Sequence, residues 1–256
     1  MTEYKTIIFE EKEGVGFLTL NRPKSLNAIS LEMIEEFEVL FRELEESETV
    51  RVVILSGAGE KGFCAGLDMK ESATRLFGAT PPVIYKWQTR FSRIYYMMRR
   101  IPQPIIAVIH WAASGGGFSF AMASDIRIIS PDARFNAAYI NIGLGGADLS
   151  SSYFLPKLIG SGRANEFLLT GNFMSAEEAM SLGFASRMVE RDALMDTARE
   201  IAGTMVEKSS LGLKMTKEAI NQNLGVSSLE QALHIENRNQ AFMITAMKVD
   251  SLEGGG

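Results

Sequence analysis

Two glycine-rich corners in the sequence could each hold a backbone N–H group against a developing negative charge. At the first corner, an apolar segment at 104–109 is followed by Ser114-Gly115-Gly116-Gly117, and a short apolar helix is predicted to start there. Glycine lets another group approach the backbone closely, and N–H groups at a helix start point toward that group. The pattern predicts either an oxyanion-binding corner or simply tight packing of a helix on a strand.

The second corner follows a β-branched run, VVIL at 52–55, which is typical of a buried strand. A glycine-rich turn at 56–62 comes next, followed by FCAGLDMKE at 63–71. Asp68 stands where a helix would begin, and we expect it to cap that helix. Two such corners can direct two backbone N–H donors at one carbonyl oxygen, which is the requirement for stabilising an enolate or a tetrahedral oxyanion.

Other chemistry has little support from the residue counts. The chain has a single cysteine, Cys64, which excludes an internal disulfide and is better explained as a small buried residue than as a nucleophile. The two histidines, His110 and His234, do not favour a multi-histidine metal site or a Cys–His pair. We therefore expect no metal and no redox cofactor.

The bulk properties bound the class of protein. The chain has 256 residues, is 46% hydrophobic and has a formal net charge of −5. This length and composition can bury a substantial core, and the charge does not indicate a nucleic-acid surface. No apolar run approaches transmembrane length, and the N-terminus does not resemble a signal peptide. We expect a cytoplasmic protein that binds neither nucleic acid nor membrane.

Hydrophobic periodicity predicts alternating strands and helices in the first part of the chain. Apolar residues between 31 and 46 recur at intervals of three and four, which indicates an amphipathic helix with Ser30 as its cap. The order of strands and helices predicts an α/β fold with a wound sheet, followed by a mostly helical C-terminal part. We expect a hairpin over 5–11 and 16–20, strands at 52–55, 105–109 and 126–129, and helices over 115–123, 193–207, 212–224 and 229–247, with another long helix ending before Pro102.

Together the two corners resemble a known family. FCAGLDMKE at 63–71 and AASGGGFSFAMASD at 112–125 are similar to motifs of the enoyl-CoA hydratase/isomerase (crotonase) superfamily, and NRPKSLNA at 21–28 and SAEEA at 175–179 extend the likeness. The resemblance covers nearly the whole chain in the expected order. It implies a ββα spiral core over 1–195 that carries an acyl-CoA site. It also implies a C-terminal helical oligomerisation region over 196–256, and a homotrimer that often pairs into a hexamer.

The resemblance also implies roles for individual residues. The backbone N–H groups of Leu67 and Gly116 would hold the thioester oxygen of an acyl-CoA substrate. Coenzyme A belongs to this substrate, so no separate cofactor is implied. The other candidate substrate- or CoA-binding residues are Arg22, Lys24, Ser25, Leu26, Ala65, Gly66, Gly115, Ser119 and Tyr139. For Arg22 and Lys24, a role as solvated surface charges is an equal alternative to contact with phosphate.

The sequence departs from the family at the two glutamates that hydratases use to position and split water. The first belongs two residues after the glycine triplet, where this chain has Ser119. The second belongs on the next substrate-facing segment, where the matching residue is Tyr139. Because both carboxylates are missing, ordinary hydration of an enoyl-CoA is not expected.

One carboxylate remains in the matching region. Counted back from LPKLIG at 155–160, Asp148 coincides with an aspartate that other branches of the superfamily use. A single carboxylate suits a proton shuttle that takes a proton from C2 or C4 and returns it elsewhere, and partial burial would make it a better base. We therefore expect double-bond isomerisation through Asp148. The alternative is that Asp148 only caps the helix that follows it.

Three other functions stay open at this point. A hydratase could have rebuilt water activation around Asp148 with Ser119 or Tyr139. A lyase or hydrolase could act on cyclic or aromatic acyl-CoA esters. A protein that has lost the catalytic acids could bind acyl-CoA without turnover. Water addition, the range of thioesters converted and the effect of changing Asp148 discriminate among them.

Overall fold

A computed structural model describes residues 3–76 and 78–253, without the side chains at 73, 75, 76 and 247–253. Short 3-10 helices occur at Pro23–Ser25, Ile140–Ile142 and Arg191–Ala193. In chain order the other elements are β1 (Ile7–Lys12), β2 (Val15–Leu20), α1 (Leu31–Glu46), β3 (Val52–Gly57), α2 (Met69–Leu76), α3 (Pro81–Arg100), β4 (Ile105–Ile109), β5 (Ala112–Ser114), α4 (Gly116–Ala123), β6 (Ile126–Ile129), β7 (Arg134–Asn136), α5 (Ser151–Ile159), α6 (Ser161–Thr170), β8 (Met174–Ser175), α7 (Ala176–Ser181), β9 (Arg187–Met188), α8 (Leu194–Val206), α9 (Ser210–Asn223) and α10 (Leu229–Glu253).

The strands form two sheets, in agreement with the predicted α/β class. The larger sheet has the order β1-β2-β3-β4-β6-β9, and the smaller one has the order β5-β7-β8. Strands β1 and β2 pair antiparallel, which confirms the predicted hairpin, and the other pairs of the larger sheet are parallel. All five residues of β4 are apolar and buried. This is typical of a parallel strand that is covered on both faces, where polar residues do not alternate with apolar ones.

Helix α1 forms as its periodicity predicts. Met33, Phe37 and Phe41 are almost completely buried against the core, and Phe37 stacks on Phe41 with ring centroids 5.2 Å apart. The hydroxyl of Ser30 accepts the N–H of Met33 at 3.1 Å, so Ser30 is the N-cap. The helix therefore begins and ends where the sequence indicates.

Helix α8 packs on the face of the larger sheet. Leu194, Ala198 and Ala202 lie in one apolar cluster with Val52, Ile54, Ile106, Val108 and Ile128. The predicted division between residues 195 and 196 falls inside this helix. Since α8 is packed on the sheet, the part of the chain that packs with the core extends to Val206.

The last two described helices, α9 and α10, pack mainly against each other. Lys217 ties α9 to the core: its ammonium group donates to the carbonyl oxygens of Met98 and Gln103 and lies 3.1 Å from the carboxylate of Asp125. Arg99 completes this ion-pair cluster at 2.7 Å from Asp125. Within 3–76 and 78–253, no helix has the length and apolar character needed to cross a membrane.

Candidate active site

The two glycine corners lie next to each other. The segment after β3 runs beside Ile29, whose N–H donates to Gly66 O at 2.7 Å and whose carbonyl accepts the N–H of Asp68 at 2.9 Å. Leu67, between these two bonded residues, directs its own N–H to the opposite side. A methyl group added to Gly66 would lie 3.1 Å from the backbone nitrogen of Gly116. The N–H groups of Leu67 and Gly116 therefore share one small region.

The hydrogen bonds of the described residues leave both of these N–H groups available to a ligand. In the described part of the chain, the N–H groups of Leu67 and Gly116 donate to no backbone acceptor. Gly116 is also the first residue of α4, so its N–H belongs to the positive end of that helix. Two unpartnered N–H donors at one place are the geometry of an oxyanion hole.

Each glycine of the triplet meets a different constraint. Gly115 has φ = +51°, a backbone conformation that side-chain-bearing residues rarely adopt, and a methyl group there would lie 3.2 Å from the ring of Tyr139. A methyl group at Gly116 would lie 2.7 Å from Ile29 Cδ1, and one at Gly117 would collide with the carbonyl oxygen of Cys64. Tight packing and a free N–H group therefore occur together at this corner.

Ser119 and Tyr139, which the sequence predicts to stand at the positions of the hydratase glutamates, contact each other. Ser119 lies on the buried face of α4, and its Oγ is 3.0 Å from the hydroxyl oxygen of Tyr139. Burial raises the pKa of Tyr139 well above its ordinary value, so this phenol stays protonated at neutral pH. The pair can donate and accept hydrogen bonds, but it supplies no carboxylate.

Asp148 lies half-buried in the turn between the 3-10 helix Ile140–Ile142 and α5. Its Oδ1 accepts the N–H of Leu149 at 2.7 Å and a hydrogen bond from Gln88 Nε2. Burial raises the pKa of Asp148 above its usual value, and these two hydrogen bonds partly offset the rise. A carboxylate with a raised pKa is a stronger base for a carbon-bound proton.

The alternative role of Asp148 as a helix cap is not what the geometry shows. Helix α5 starts at Ser151, its N-cap is Ser150, and the Asp148 carboxylate bonds Leu149 and Gln88 instead of N–H groups inside the helix. Leu149 and Ser150 both have positive φ, at 45° and 76°. Two consecutive side-chain-bearing residues in this region store strain, which is common beside functional groups.

The turn that carries Asp148 reaches the oxyanion corner. A methyl group at Gly116 would lie 3.5 Å from Cδ1 of Leu149, the residue after Asp148. Both Tyr95 and Tyr139 have their pKa raised chiefly by burial and also by the charge of Asp148. The Asp148 turn, Tyr95, Tyr139 and the Gly116 corner therefore lie close to one another.

Sequence reasoning missed two residues of this site, Gln88 and Tyr95, both on α3. The Tyr95 hydroxyl donates to the carbonyl oxygen of Gly116 at 3.0 Å, and Gln88 donates to Asp148. They are seven residues apart, so they lie on one face of the helix. That spacing could have suggested a shared face, but it could not have identified the partners.

The candidate CoA-binding residues form an adjoining surface. Lys24, Ser25, Leu26 and Ala65 are exposed, and the N–H of Ala65 donates to Leu26 O at 3.0 Å. Arg22, by contrast, is engaged within the protein: its guanidinium donates to Ala28 O and lies 2.9 Å from the carboxylate of Asp68. Asp68 also accepts the N–H of Glu71, as expected of a cap for α2.

Two further features define the surroundings of the site. An apolar cavity of about 490 Å³ lies beyond the Asp148 turn, lined by residues that include Tyr95, Ser150, Phe154 and Leu224. Cys64 is buried, and burial raises the pKa of its thiol to about 12, so it is not a nucleophile. The described residues contain no group of three or more His, Cys, Asp or Glu side chains that could hold a metal ion.

Known proteins resemble this chain along almost its full length. The model of the enoyl-CoA hydratase/isomerase family matches residues 10–254. The protein named probable enoyl-CoA hydratase echA12 of Mycobacterium leprae (strain TN) is 37% identical over 246 residues, which are 95% of this chain and 83% of that relative. The crystal structure of enoyl-CoA hydratase from Bacillus anthracis has a TM-score of 0.88 and 32% identity, covering 94% of this chain and 92% of that one.

A solved structure named for isomerisation is also similar. The monofunctional enoyl-CoA isomerase from M. smegmatis has a TM-score of 0.75 and 34% identity, covering 89% of this chain and 98% of that one. The chain therefore belongs to the enoyl-CoA hydratase/isomerase family, with the crotonase fold. It is an enzyme of this superfamily, whose substrates are acyl-CoA thioesters. This finding confirms the predicted family and fold.

Proposed function

We propose that the protein is an enoyl-CoA isomerase that moves a carbon–carbon double bond by proton transfer through Asp148. The observation that carries the proposal is the contrast between the carboxylate of Asp148 and the neutral hydroxyls of Ser119 and Tyr139. Asp148 is a carboxylate with a raised pKa beside the oxyanion corner, whereas Ser119 and Tyr139 place a bonded hydroxyl pair at the positions of the hydratase glutamates.

The reaction begins with a 3-enoyl thioester whose carbonyl oxygen accepts the N–H groups of Leu67 and Gly116. Asp148 removes a proton from C2, and the electron pair of that C–H bond moves into a dienolate with its charge on the thioester oxygen. The two N–H donors stabilise that charge by about 3 kcal/mol each. Protonated Asp148 then returns the proton to C4, which yields the 2-enoyl isomer with no change in composition.

The relatives carry both hydratase and isomerase names, so their names do not decide between the two activities. The two activities differ in what they require of Asp148. The hydratase alternative needs Asp148 to activate water with help from the hydroxyl of Ser119 or Tyr139. The single hydrogen bond between those hydroxyls uses one of their two O–H groups, and neither hydroxyl is a carboxylate that could accept a proton from water. Isomerisation needs no water and uses a carboxylate alone.

Coenzyme A binds, in this proposal, along the exposed strip of Lys24, Ser25, Leu26 and Ala65, with Gly66 as the close backbone approach. Lys24 is the cation offered to phosphate. Arg22 acts indirectly, because its guanidinium is bound to Asp68 and Ala28 and holds the loop in place. The acyl group passes Gly115 and Tyr139, and the cavity beyond Tyr95 provides apolar room for its far end.

We also propose a homotrimer, or a hexamer of two trimers, in which the contacts between chains are made by α9 and α10, the part of the predicted 196–256 region that follows the core-packed helix α8. Helices α9 and α10 leave several large apolar side chains exposed, among them Leu229, Phe242 and Ile244. Light scattering on the purified protein tests this proposal. A mass of three or six chains supports it, and a mass near 28.2 kDa contradicts it.

The experiment for the activity uses 3-enoyl-, 2-enoyl- and cyclic enoyl-CoA thioesters of several chain lengths in D₂O. Double-bond position and deuterium content are followed by NMR and mass spectrometry for the wild type and Asp148→Asn. The proposal expects bond migration with deuterium uptake, reduced about 10²–10⁴-fold in Asp148→Asn.

Other results identify the alternatives. Net gain of water by a 2-enoyl thioester identifies a hydratase. Turnover of cyclic thioesters without turnover of linear ones identifies an enzyme of cyclic or aromatic acyl-CoA esters. Tight binding with no conversion of any thioester, unchanged in Asp148→Asn, identifies a binding protein.

A further inference from the structure

The two oxygens of the Asp148 carboxylate are not equivalent. Oδ1 accepts both hydrogen bonds, from the backbone N–H of Leu149 and from the side-chain amide of Gln88. Among the described residues, no donor is bonded to Oδ2. One oxygen is therefore held by the protein, and the other is left to receive a proton.

The two donors on Oδ1 differ in origin. Leu149 is the next residue in the chain, so its N–H moves with Asp148 and cannot fix the turn relative to the rest of the site. Gln88 is sixty positions away, on α3. Its amide therefore supplies a link between the carboxylate and an independent element of the fold.

Helix α3 also contacts the oxyanion corner. Tyr95, two turns after Gln88 on the same helix face, donates to the carbonyl oxygen of Gly116, whose N–H is one of the two proposed oxyanion donors. One rigid helix thus bonds the carboxylate through Gln88 and the oxyanion corner through Tyr95. The separation of the base from the thioester oxygen is then set by the spacing along α3.

We propose that Gln88 is a positioning residue that holds Oδ1 of Asp148, so that Oδ2 faces the substrate carbon. This role rests on the proposed function of Asp148 as the proton shuttle. The amide does not ionise at ordinary pH, so Gln88 orients the carboxylate without acting as an acid or base toward the substrate. It also stabilises the charged carboxylate, which is the form that accepts the proton.

The site contains few other groups that could dominate the titration of Asp148. The tyrosines Tyr95, from α3, and Tyr139, before the 3-10 helix, face it, and burial keeps both neutral at ordinary pH. The buried thiol of Cys64 lies beside these tyrosines and is also neutral. A change in the pH profile on altering Gln88 therefore reports on the Asp148 carboxylate.

The experiment compares two replacements of similar length, Gln88→Met and Gln88→Glu. Methionine keeps the packing and removes the donor, and glutamate replaces the amide by a second carboxyl group. Thr89→Val, one residue along the same helix, is the matched control, because among the described residues the Thr89 hydroxyl bonds only the Tyr85 carbonyl in its own helix. Isomerisation and deuterium exchange are measured from pH 4 to 9, with Asp148→Asn as the reference and thermal unfolding as the check of folding.

In Gln88→Met we expect the apparent pKa of the acid limb, in the pH profile of kcat/KM, to rise by about one unit. The reason is that a hydrogen bond to the charged carboxylate is lost. We expect kcat on the plateau to fall about tenfold with KM changed less than about twofold, since the acyl-CoA contacts stay intact. In Gln88→Glu the limb moves further up, because two adjacent carboxyl groups share a proton. Thr89→Val keeps the wild-type profile.

Suppose that both Gln88 variants keep the acid limb of the wild type while Asp148→Asn is inactive. This result agrees with the proposed function of Asp148 and overturns the positioning role of Gln88. A lower kcat with an unshifted limb also overturns it, because that result describes a merely structural residue. Full activity of Asp148→Asn overturns the proposed function itself, and with it the role of Gln88.

Discussion

The hydroxyl oxygens of Ser119 and Tyr139 lie 3.0 Å apart in the interior of the protein, and the family resemblance predicts that these two positions correspond to the glutamates of a hydratase. The single hydrogen bond between them uses one of the two O–H groups, and the second O–H can still donate to another acceptor. A neutral pair of hydroxyls in contact therefore lies where the resemblance predicts two water-activating carboxylates in a hydratase.

We expect Ser119→Ala and Tyr139→Phe to lower the free energy of unfolding by about 1 kcal/mol each. Each substitution removes the hydrogen bond between the two side chains and leaves the remaining buried hydroxyl without this partner. Isomerisation should change less than about fivefold, since neither group exchanges the substrate proton. Urea denaturation and the D₂O assay measure the two effects. A loss as large as that of Asp148→Asn would instead assign these hydroxyls to catalysis and favour the hydratase alternative.

Gly116→Ala should reduce kcat about 10²–10³-fold. The added methyl group would lie 2.7 Å from Ile29 Cδ1 and 2.9 Å from the Tyr95 hydroxyl. The backbone must therefore move, and its N–H no longer points at the thioester oxygen. Gly162→Ala is the matched control, because it also lies in a helix and its added methyl group meets no atom within 4 Å. Steady-state kinetics of both variants check this, and equal activity would remove Gly116 from the oxyanion hole.

The activity should rise with pH along an acid limb whose apparent pKa lies above 3.8, the ordinary value for aspartate. Burial raises the pKa of Asp148, and the ionised form is the base, so protonation on the acid side removes activity. The pH dependence of kcat/KM measures the limb. Asp196→Asn, at an exposed position of α8, should leave it unchanged. A limb at or below 3.8 would contradict the partly desolvated carboxylate.

Lys217→Met should lower the free energy of unfolding by about 2–4 kcal/mol at pH 7. The substitution leaves the buried carbonyls of Met98 and Gln103 without their donor, and it removes one cation from Asp125. Lys214→Met, at an exposed position of the same helix, should stay within about 0.5 kcal/mol of the wild type. Urea denaturation of the two variants tests whether Lys217 anchors α9 to the core.

Local sequence was sufficient for the elements with strong periodicity or distinctive turns. The hairpin of β1 and β2, the helix capped by Ser30 and the two glycine corners follow from neighbouring residues, and the structure has each of them. The family resemblance implied a second sheet, but the individual strands of the smaller sheet were not predicted from the residues. Its strands β5, β7 and β8 have only two or three residues, too few to show the alternation that identifies a strand.

The candidate site divides in the same way. By itself the sequence determined the family and the two glycine corners that contain Leu67 and Gly116, and it predicted that Ser119 and Tyr139 stand where a hydratase has glutamates. Only the tertiary structure decided that these two hydroxyls bond each other, that Gln88 holds Asp148 and that Tyr95 holds Gly116. These partners are 20 to 60 residues apart, and they meet because α3, α4 and the segment from Tyr139 to Asp148 pack together. Periodicity and turn chemistry report on neighbours along the chain, so contacts across the fold are decided by packing.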